Sequence, residues 1–288
     1  MKDYFKRFIS MNKNSNPILL YLLLGIIAMA GVMLLGKIAG NPKILIVAVA
    51  FYFAIVIHEI AHGVAAYAFG DPTAKIAGRF SLNPIKHLDP IGTIIPALLI
   101  VVGFPFVIGW AKPVPVNYRL LKNKTMGIFT VSIAGIVANI LMIATGILFF
   151  IGPGIHSGIM LKLKGISMGV MTILGRISGA DDFYLKMTAI YSYSPNFNNL
   201  MDVLGFFFIW LILINAVLAV FNLIPCPPLD GSRIIYALSN NKGRAVLDSI
   251  EKYGFIIILI LLWTGIITMV MSPIMDGIYK YIFGLIGI

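Results

Sequence analysis

The chain has 288 residues, of which 59% are hydrophobic and only 11% are charged, and its mean hydropathy is +0.96. These values exclude an ordinary soluble globular protein and indicate a polytopic membrane protein. The formal net charge is +11, but the Lys and Arg residues are scattered through short loops between apolar runs. Their placement therefore indicates membrane orientation and contact with lipid headgroups, not binding of nucleic acid. The single cysteine, Cys226, excludes an intramolecular disulfide.

Six apolar stretches follow one another along the chain. They run approximately over 17–36, 44–69, 91–109, 125–152, 200–224 and 253–271. The third is short and contains Pro96, Gly103 and Pro105, which favours a re-entrant path over a full crossing. We therefore expect an all-α polytopic membrane protein with about five to six transmembrane helices and one re-entrant segment.

The second stretch carries three ionisable side chains, His58, Glu59 and His62, within an otherwise apolar run. Each costs roughly 2.5–3.5 kcal/mol in the middle of a membrane on insertion scales. Residues four apart share one face of a helix. The HExxH spacing therefore predicts two imidazoles that bind zinc and a carboxylate that acts on the attacking water. The alternative is a group of buried polar residues that only packs helices together.

Residues 73–82, TAKIAGRFSL, alternate between two sets of side chains along the chain. A period of two predicts a β-strand. We expect a small membrane-associated β-hairpin or sheet whose edge, with Ile76, Ala77 and Gly78, pairs with an extended peptide substrate. An ordinary interfacial loop is the alternative.

A proline-rich segment, FNLIPCPPLDGSR at 221–233, ends the fifth stretch and then presents Asp230. Its prolines stop the helix at the edge of the membrane or within it. Two histidines need a third protein ligand if one zinc position is to stay open for water, and a carboxylate is a common choice. We therefore predict that Asp230 is the third ligand of one zinc ion. The alternative is that Asp230 only caps a helix that begins at Gly231.

HEIAH in an apolar stretch, together with NLIPCPPLDG downstream, resembles the site-2 protease family of intramembrane zinc metalloproteases. The similarity covers approximately residues 44–240, and segments such as GWAKPVPVN and SIAGIVAN look like a short bacterial or archaeal branch. The resemblance implies that His58, His62 and Asp230 bind zinc and that Glu59 is the catalytic carboxylate.

The resemblance further implies that Asn139 and Asn222 lie near the site. Asn139 could donate a hydrogen bond to the substrate carbonyl, or it could only tie two helices together. The chain departs from the family at one point, because Ile136 follows Gly135 where the family usually has proline. Local helix geometry is expected to differ there.

Another histidine belongs to a weaker candidate pair. His87 and Asp89 lie close together in the chain, so they could either contribute to a metal site or form a local contact within a loop. His156 follows Gly-Pro-Gly, which is typical of a loop residue.

The positive charges indicate an orientation. With the N-terminus inside and 91–109 re-entrant, 15 Lys and Arg residues lie on the cytoplasmic side and 7 lie outside, as the positive-inside rule requires. A full crossing by 91–109 would bring Asp230 out on the face opposite the end of the HEIAH helix. The charge count and the shared zinc site therefore both predict an active site towards the cytoplasm.

We expect residues 1–288 to form a single intramembrane metalloprotease domain with its core at about 44–240 and an external loop at 153–199. The expected partners are the lipid bilayer and a transmembrane peptide or membrane-protein substrate, hydrolysed within or near its membrane segment in regulated intramembrane proteolysis. The cell membrane of a prokaryote is the expected location. The alternative is a non-proteolytic protein, such as a metal-dependent transporter or scaffold, but transport has no evident need for a general base such as Glu59.

Overall fold

The computed structural model describes residues 31–33, 35–87, 89, 92, 112–151, 190, 193 and 195–286. Residues 31–33 and 35–40 are helical. The helices that follow are α1 (Lys43–Ala68), α2 (Thr73–Ile76), α3 (Pro84–His87), α4 (Lys124–Ile151), α5 (Leu200–Asn222), α6 (Asp230–Leu238), α7 (Asn241–Glu251), α8 (Gly254–Trp263) and α9 (Ile266–Ile286). These described ranges contain no β-strand.

Among the described residues, three helices, α1, α4 and α5, are long and apolar enough to cross a membrane. They confirm the stretches predicted at 44–69, 125–152 and 200–224. The predicted total of about five to six crossing helices is not found in this part of the chain. Most of the stretch 17–36 and nearly all of 91–109, with its predicted re-entrant path, lie outside the described residues.

The last predicted stretch, 253–271, is not one helix. α8 ends at Trp263 and α9 begins at Ile266, because the chain turns at Gly265, whose φ is +76°. Glycine adopts this left-handed conformation without the steric cost that a side chain would impose.

The main apolar core lies where α5 packs against α4 and α9. Phe150 of α4 and Tyr279 of α9 are buried with Phe206, Ile209 and Ile212 of α5. The Tyr279 hydroxyl donates to the carbonyl oxygen of Leu213 at 3.1 Å. Neighbouring helices thus satisfy polar groups that lipid cannot.

The predicted β-hairpin or sheet is wrong, because residues 73–76 form a helical turn. The N–H groups of Ile76 and Ala77 donate to the carbonyl oxygens of Pro72 and Thr73, each at 2.9 Å. Gly78 then ends the turn with a φ of +65°. A proline at the start and a left-handed glycine at the end are ordinary signals of a helical turn. These local signals outweigh an alternation that spans only ten residues.

The contacts divide the chain into two units, one made of Met1–Leu45 and Ser81–Pro113 and the other of Ile46–Phe80 and Val114–Ile288. In the first unit, His87 Nε2 donates to the carbonyl oxygen of Ser81 at 2.6 Å. The second unit contains α2, the helices α4 to α9 and all but the first three residues of α1. That residues 1–288 act as one domain stays a prediction.

Asp71 holds the segment after α1 to the segment before α4. Its buried carboxylate accepts hydrogen bonds from the N–H and hydroxyl of Thr73, and from the N–H of Asn117 at 2.6 Å. Burial acts to raise the pKa of this carboxyl, but the hydrogen bonds outweigh it and lower the pKa below its usual value. The carboxylate therefore stabilises this junction in its charged form.

We expect Asp71→Asn to lower the free energy of unfolding by about 1–3 kcal/mol near neutral pH, since the variant loses charge-assisted hydrogen bonds. Because the folded-state pKa is lowered, this stabilisation is present above the ordinary aspartate pKa of about 3.9 and is lost as pH falls through the lower folded value. Thermal unfolding in detergent measures the difference. The difference in stability between the wild type and Asp71→Asn should become smaller as pH is lowered from 7 to about 3.

The exposed Asp248 of α7 offers a matched control, and Asp248→Asn should leave the unfolding temperature nearly unchanged. An Asp71→Asn protein as stable as the wild type at neutral pH would contradict the role assigned to this carboxylate.

Candidate metal centre

α1 brings two histidines to one face of an apolar helix. His58 and His62 are both buried, and their rings meet edge to face with centroids 4.6 Å apart. Their four-residue spacing produces this contact directly, since side chains one helical turn apart are neighbours. The local pairing predicted from HExxH is therefore present.

The third member of the cluster arrives from a distant part of the chain. After α5 ends at Asn222, the proline-rich bend leads to α6, whose first residue is Asp230. Gly231 follows, and a side chain there would lie 2.4 Å from the carbonyl oxygen of Leu223 and 2.5 Å from that of Ile224. Only glycine allows α6 to start this close to the backbone of the bend.

Three side-chain atoms converge at this point. Asp230 Oδ2 lies 3.3 Å from Nε2 of His58 and 3.3 Å from Nε2 of His62, and the two nitrogens are 3.0 Å apart. Among the described His, Cys, Asp and Glu residues, these three form the group that could hold a metal ion.

The opposite ring nitrogens decide the chemical character of this cluster. His58 Nδ1 is 2.9 Å from Asn139 Oδ1, and His62 Nδ1 is 2.6 Å from the carbonyl oxygen of Val131. Both partners are acceptors, so each Nδ1 carries the ring proton and each neutral Nε2 presents a lone pair. Two lone pairs then face a carboxylate oxygen, and this arrangement calls for a cation.

The spacing of the three atoms suits zinc. Zinc binds imidazole nitrogen and carboxylate oxygen at about 2.0–2.2 Å in tetrahedral geometry, which separates neighbouring ligand atoms by about 3.3–3.5 Å. The separations of 3.0, 3.3 and 3.3 Å lie close to that range. Three protein ligands leave a fourth position for water or substrate, as in catalytic zinc sites.

One stripe of α4 supports both histidines. Val131, Gly135 and Asn139 follow one another at intervals of four residues, so they lie on one face of the helix. A side chain at Gly135 would lie 2.4 Å from Cε1 of His58 and 2.5 Å from Nε2 of His62. Glycine at this position therefore leaves the space that the two imidazole rings occupy.

The glutamate of the motif contacts the segment before α4. Glu59 Oε2 accepts a hydrogen bond from the N–H of Val114 at 2.7 Å. Val114 is buried and belongs to residues 112–117, which form no helix or strand. The contact with Val114 was not predictable from the sequence, because it joins positions 55 residues apart and uses a backbone group.

The residues predicted to bind substrate differ from one another in burial and in their place in the fold. Asn139 is buried against His58, whereas Asn222 is half-buried at the end of α5. Ile76 and Ala77 are exposed on α2 and the turn after it, followed by the less exposed Gly78. Their contact with substrate stays a prediction, but the edge strand on which it was based is absent from this segment.

His87 and Asp89 each have a local hydrogen-bond partner. His87 donates to a backbone carbonyl oxygen within its own unit, and Asp89 accepts from the N–H of Gly92 at 2.7 Å. Neither belongs to the group that could hold a metal. His156 lies outside the described residues.

A helix-borne HExxH pair that meets a distant aspartate, in a chain with three apolar helices, is typical of a membrane zinc metalloprotease. Comparison with known proteins agrees, since residues 46–265 match Peptidase family M50. The chain belongs to this family, which confirms the resemblance to site-2 proteases. It is a zinc-dependent protease and a membrane protein.

Two relatives illustrate the similarity. "Putative zinc metalloprotease YwhC" of Bacillus subtilis (strain 168) is 40% identical over 220 residues, which cover 76% of this chain and 81% of the relative. "Putative zinc metalloprotease Rip2" of Mycolicibacterium smegmatis (strain ATCC 700084 / mc(2)155) is 24% identical over 224 residues, 76% of this chain and 67% of the relative. No solved structure matches the chain significantly.

We expect Gly135→Ala to weaken zinc binding at least about tenfold, because the added methyl group displaces imidazole rings that are held on their other side by hydrogen bonds. Competition between the purified protein and a chelator measures the zinc dissociation constant.

Gly146→Ala is the matched control, since it makes the same change on the same helix but points the methyl group at the Ile212 side chain. It should keep wild-type zinc affinity. Unchanged zinc affinity in a folded Gly135→Ala protein would show that the rings do not depend on this space.

Proposed function

We propose that the protein is an intramembrane protease that hydrolyses peptide bonds within or near transmembrane segments of membrane proteins. In this proposal His58, His62 and Asp230 hold the zinc ion, and Glu59 is the general base. The observation that carries the proposal is the convergence of three acceptor atoms on one point, built on a helix long enough to cross a membrane.

The position of the histidines along α1 supports a site below the membrane surface. At 1.5 Å per residue, His58 and His62 lie about 15 Å and 9 Å from the C-terminal end of α1. Val131, which contacts His62, lies about 10 Å from the N-terminal end of α4 by the same measure. The two helices run in opposite directions, so the C-terminal end of α1 and the N-terminal end of α4 lie on the same side of the membrane. The depths of about 9 Å for His62 and about 10 Å for Val131 therefore agree.

Zinc, when bound, supplies a Lewis acid that polarises the scissile carbonyl and lowers the pKa of a water molecule towards neutrality. Glu59 is proposed to take the proton from the attacking water and to pass it to the leaving amine. The hydrogen bond from Val114 to Glu59 Oε2 restricts the carboxylate to one orientation. The other carboxylate oxygen, Oε1, is the one we assign to proton transfer.

The substrate must expose its scissile bond, because a transmembrane helix engages its carbonyl groups in its own hydrogen bonds. Local unwinding of the substrate is therefore part of the proposed reaction. The exposed apolar Ile76 is a candidate for contact with the unwound segment. Strand pairing at residues 73–82 is not part of this proposal.

The proposed location is the cell membrane of a prokaryote, with the active site towards the cytoplasm. Both relatives named above are bacterial. α6 and α7 follow α5 on the side of the proposed site, and they carry Arg233, Lys242 and Arg244. The positive-inside rule counts Lys and Arg and gives little weight to acidic residues, so these three side chains support the orientation.

We expect Glu59→Gln to lower the turnover of a model transmembrane substrate by about 10²–10⁴-fold while zinc still binds, because only the base is removed. His58→Ala, His62→Ala and Asp230→Ala should instead lose zinc together with activity. Zinc content and cleavage are measured on the same purified proteins.

Ile140→Ala, at an exposed position on α4, serves as a control and should keep both zinc and activity. Full cleavage by the Glu59→Gln protein would remove the proposed mechanism, and normal zinc content in all three ligand variants would remove the proposed ligand set.

The orientation has a separate test. On a Cys226→Ser background, an impermeant thiol reagent should modify the Lys242→Cys variant only from the cytoplasmic face and the Asn198→Cys variant only from the outer face. Both positions are exposed, and they lie beyond opposite ends of α5. Modification of both from one face would mean that α5 does not cross the membrane, and the reverse pattern would place the site outside.

A further inference from the structure

We infer that Asn139 is a positioning residue, which directs the lone pair of His58 Nε2 towards the metal by holding the ring proton on Nδ1. This inference rests on the proposed function in one respect, namely that His58 is a zinc ligand. It replaces the expectation that Asn139 donates a hydrogen bond to the substrate carbonyl.

The orientation of the Asn139 amide follows from its two neighbours. Oδ1 lies 2.9 Å from Nδ1 of His58, and Nδ2 lies 3.4 Å from the backbone carbonyl oxygen of Asn215 on α5. A reversed amide would place Oδ1 against the carbonyl oxygen, so two acceptors would face each other. The observed orientation gives each group a compatible partner, and Nδ1 must then be the protonated nitrogen of His58.

Asn139 is able to hold this orientation because it is almost completely buried, with 1% of its surface exposed. Asn215 is also buried, and its own Nδ2 donates to the carbonyl oxygen of Leu211 at 2.7 Å. The backbone carbonyl of Asn215 is therefore part of a packed helix, which provides Asn139 with a rigid partner.

Without the Asn139 acceptor, His58 has a competing state. Its proton can move to Nε2, which lies 3.3 Å from Asp230 Oδ2 and can then donate to that carboxylate. In this state His58 offers no lone pair to zinc, and the carboxylate is engaged as well. Asn139 suppresses this state by offering an acceptor to Nδ1.

His62 has the same arrangement with a different partner. Its Nδ1 donates to the Val131 carbonyl oxygen, a backbone group that no side-chain substitution removes. Two acceptors orient the two rings, and only the one on the Asn139 side chain can be removed by substitution. A substitution there should affect one ligand and leave the other in place.

The test compares Asn139→Ala with Asn139→Asp in the purified full-length chain, using the zinc dissociation constant from chelator competition. Asn139→Ala should weaken zinc binding by about 10–100-fold, the usual effect of losing a group that orients a metal ligand. Asn139→Asp keeps an acceptor for Nδ1 and loses only the donor to the Asn215 carbonyl oxygen, so its zinc affinity should fall less than that of Asn139→Ala. Cleavage at saturating zinc should also survive in Asn139→Asp.

The competing role gives a different pattern. If Asn139 donates to the substrate, both variants bind zinc normally and both lose turnover, and that result would overturn the inference. Equal loss of zinc in the two variants would overturn it as well, since retention of the acceptor would then make no difference. Ile140→Ala reports the effect of a neighbouring truncation on the same helix and should leave zinc affinity unchanged.

His58→Ala separates this inference from the proposed function. If His58→Ala keeps wild-type zinc affinity, the ligand assignment itself fails. If His58→Ala loses zinc and Asn139→Ala does not, the ligand assignment stands and only the role of Asn139 is rejected. Thermal unfolding of the zinc-free proteins identifies a variant that binds poorly because it is misfolded.

Discussion

The site depends on one electrostatic constraint: three hydrogen-bond acceptors point at one another in a buried place. Two imidazole nitrogens and one carboxylate oxygen lie within 3.3 Å of each other, because both histidines use their ring protons elsewhere. Such an arrangement is unfavourable unless a cation lies between the atoms. Zinc binding is therefore expected to contribute directly to the stability of the contact between α1 and α6.

α4 is the element that makes this constraint possible within an apolar protein. A single stripe of it supplies an acceptor for each histidine and, at Gly135, the space for both rings. Polar groups inside a membrane need partners from neighbouring helices, since lipid offers none. α5 completes the network through the backbone of Asn215. The chemistry of the site thus rests on helix packing at least as much as on the ligands.

Local features were predictable from the sequence where the residues of a single segment determine them. The spans at α1, α4 and α5 followed from apolar length, and the pairing of His58 with His62 followed from helical spacing. The strand predicted at residues 73–82 is wrong. Alternation suggested a strand, but the helix signals at Pro72 and Gly78 were more reliable guides to local conformation. The interruption at Gly265 was missed because glycine within an apolar run does not by itself reveal a left-handed turn.

The sequence by itself determined the class of protein, the HExxH pair and the candidacy of Asp230, since composition, spacing and ligand chemistry carry that information. Only the tertiary structure decided which groups orient those residues. Val114, Val131 and Gly135 act through a backbone N–H, a backbone carbonyl and the absence of a side chain. Every residue has a backbone, and glycine has many uses, so no residue type marks these roles. These three roles arise because packing brings distant segments together, and local sequence does not show which segments will be close.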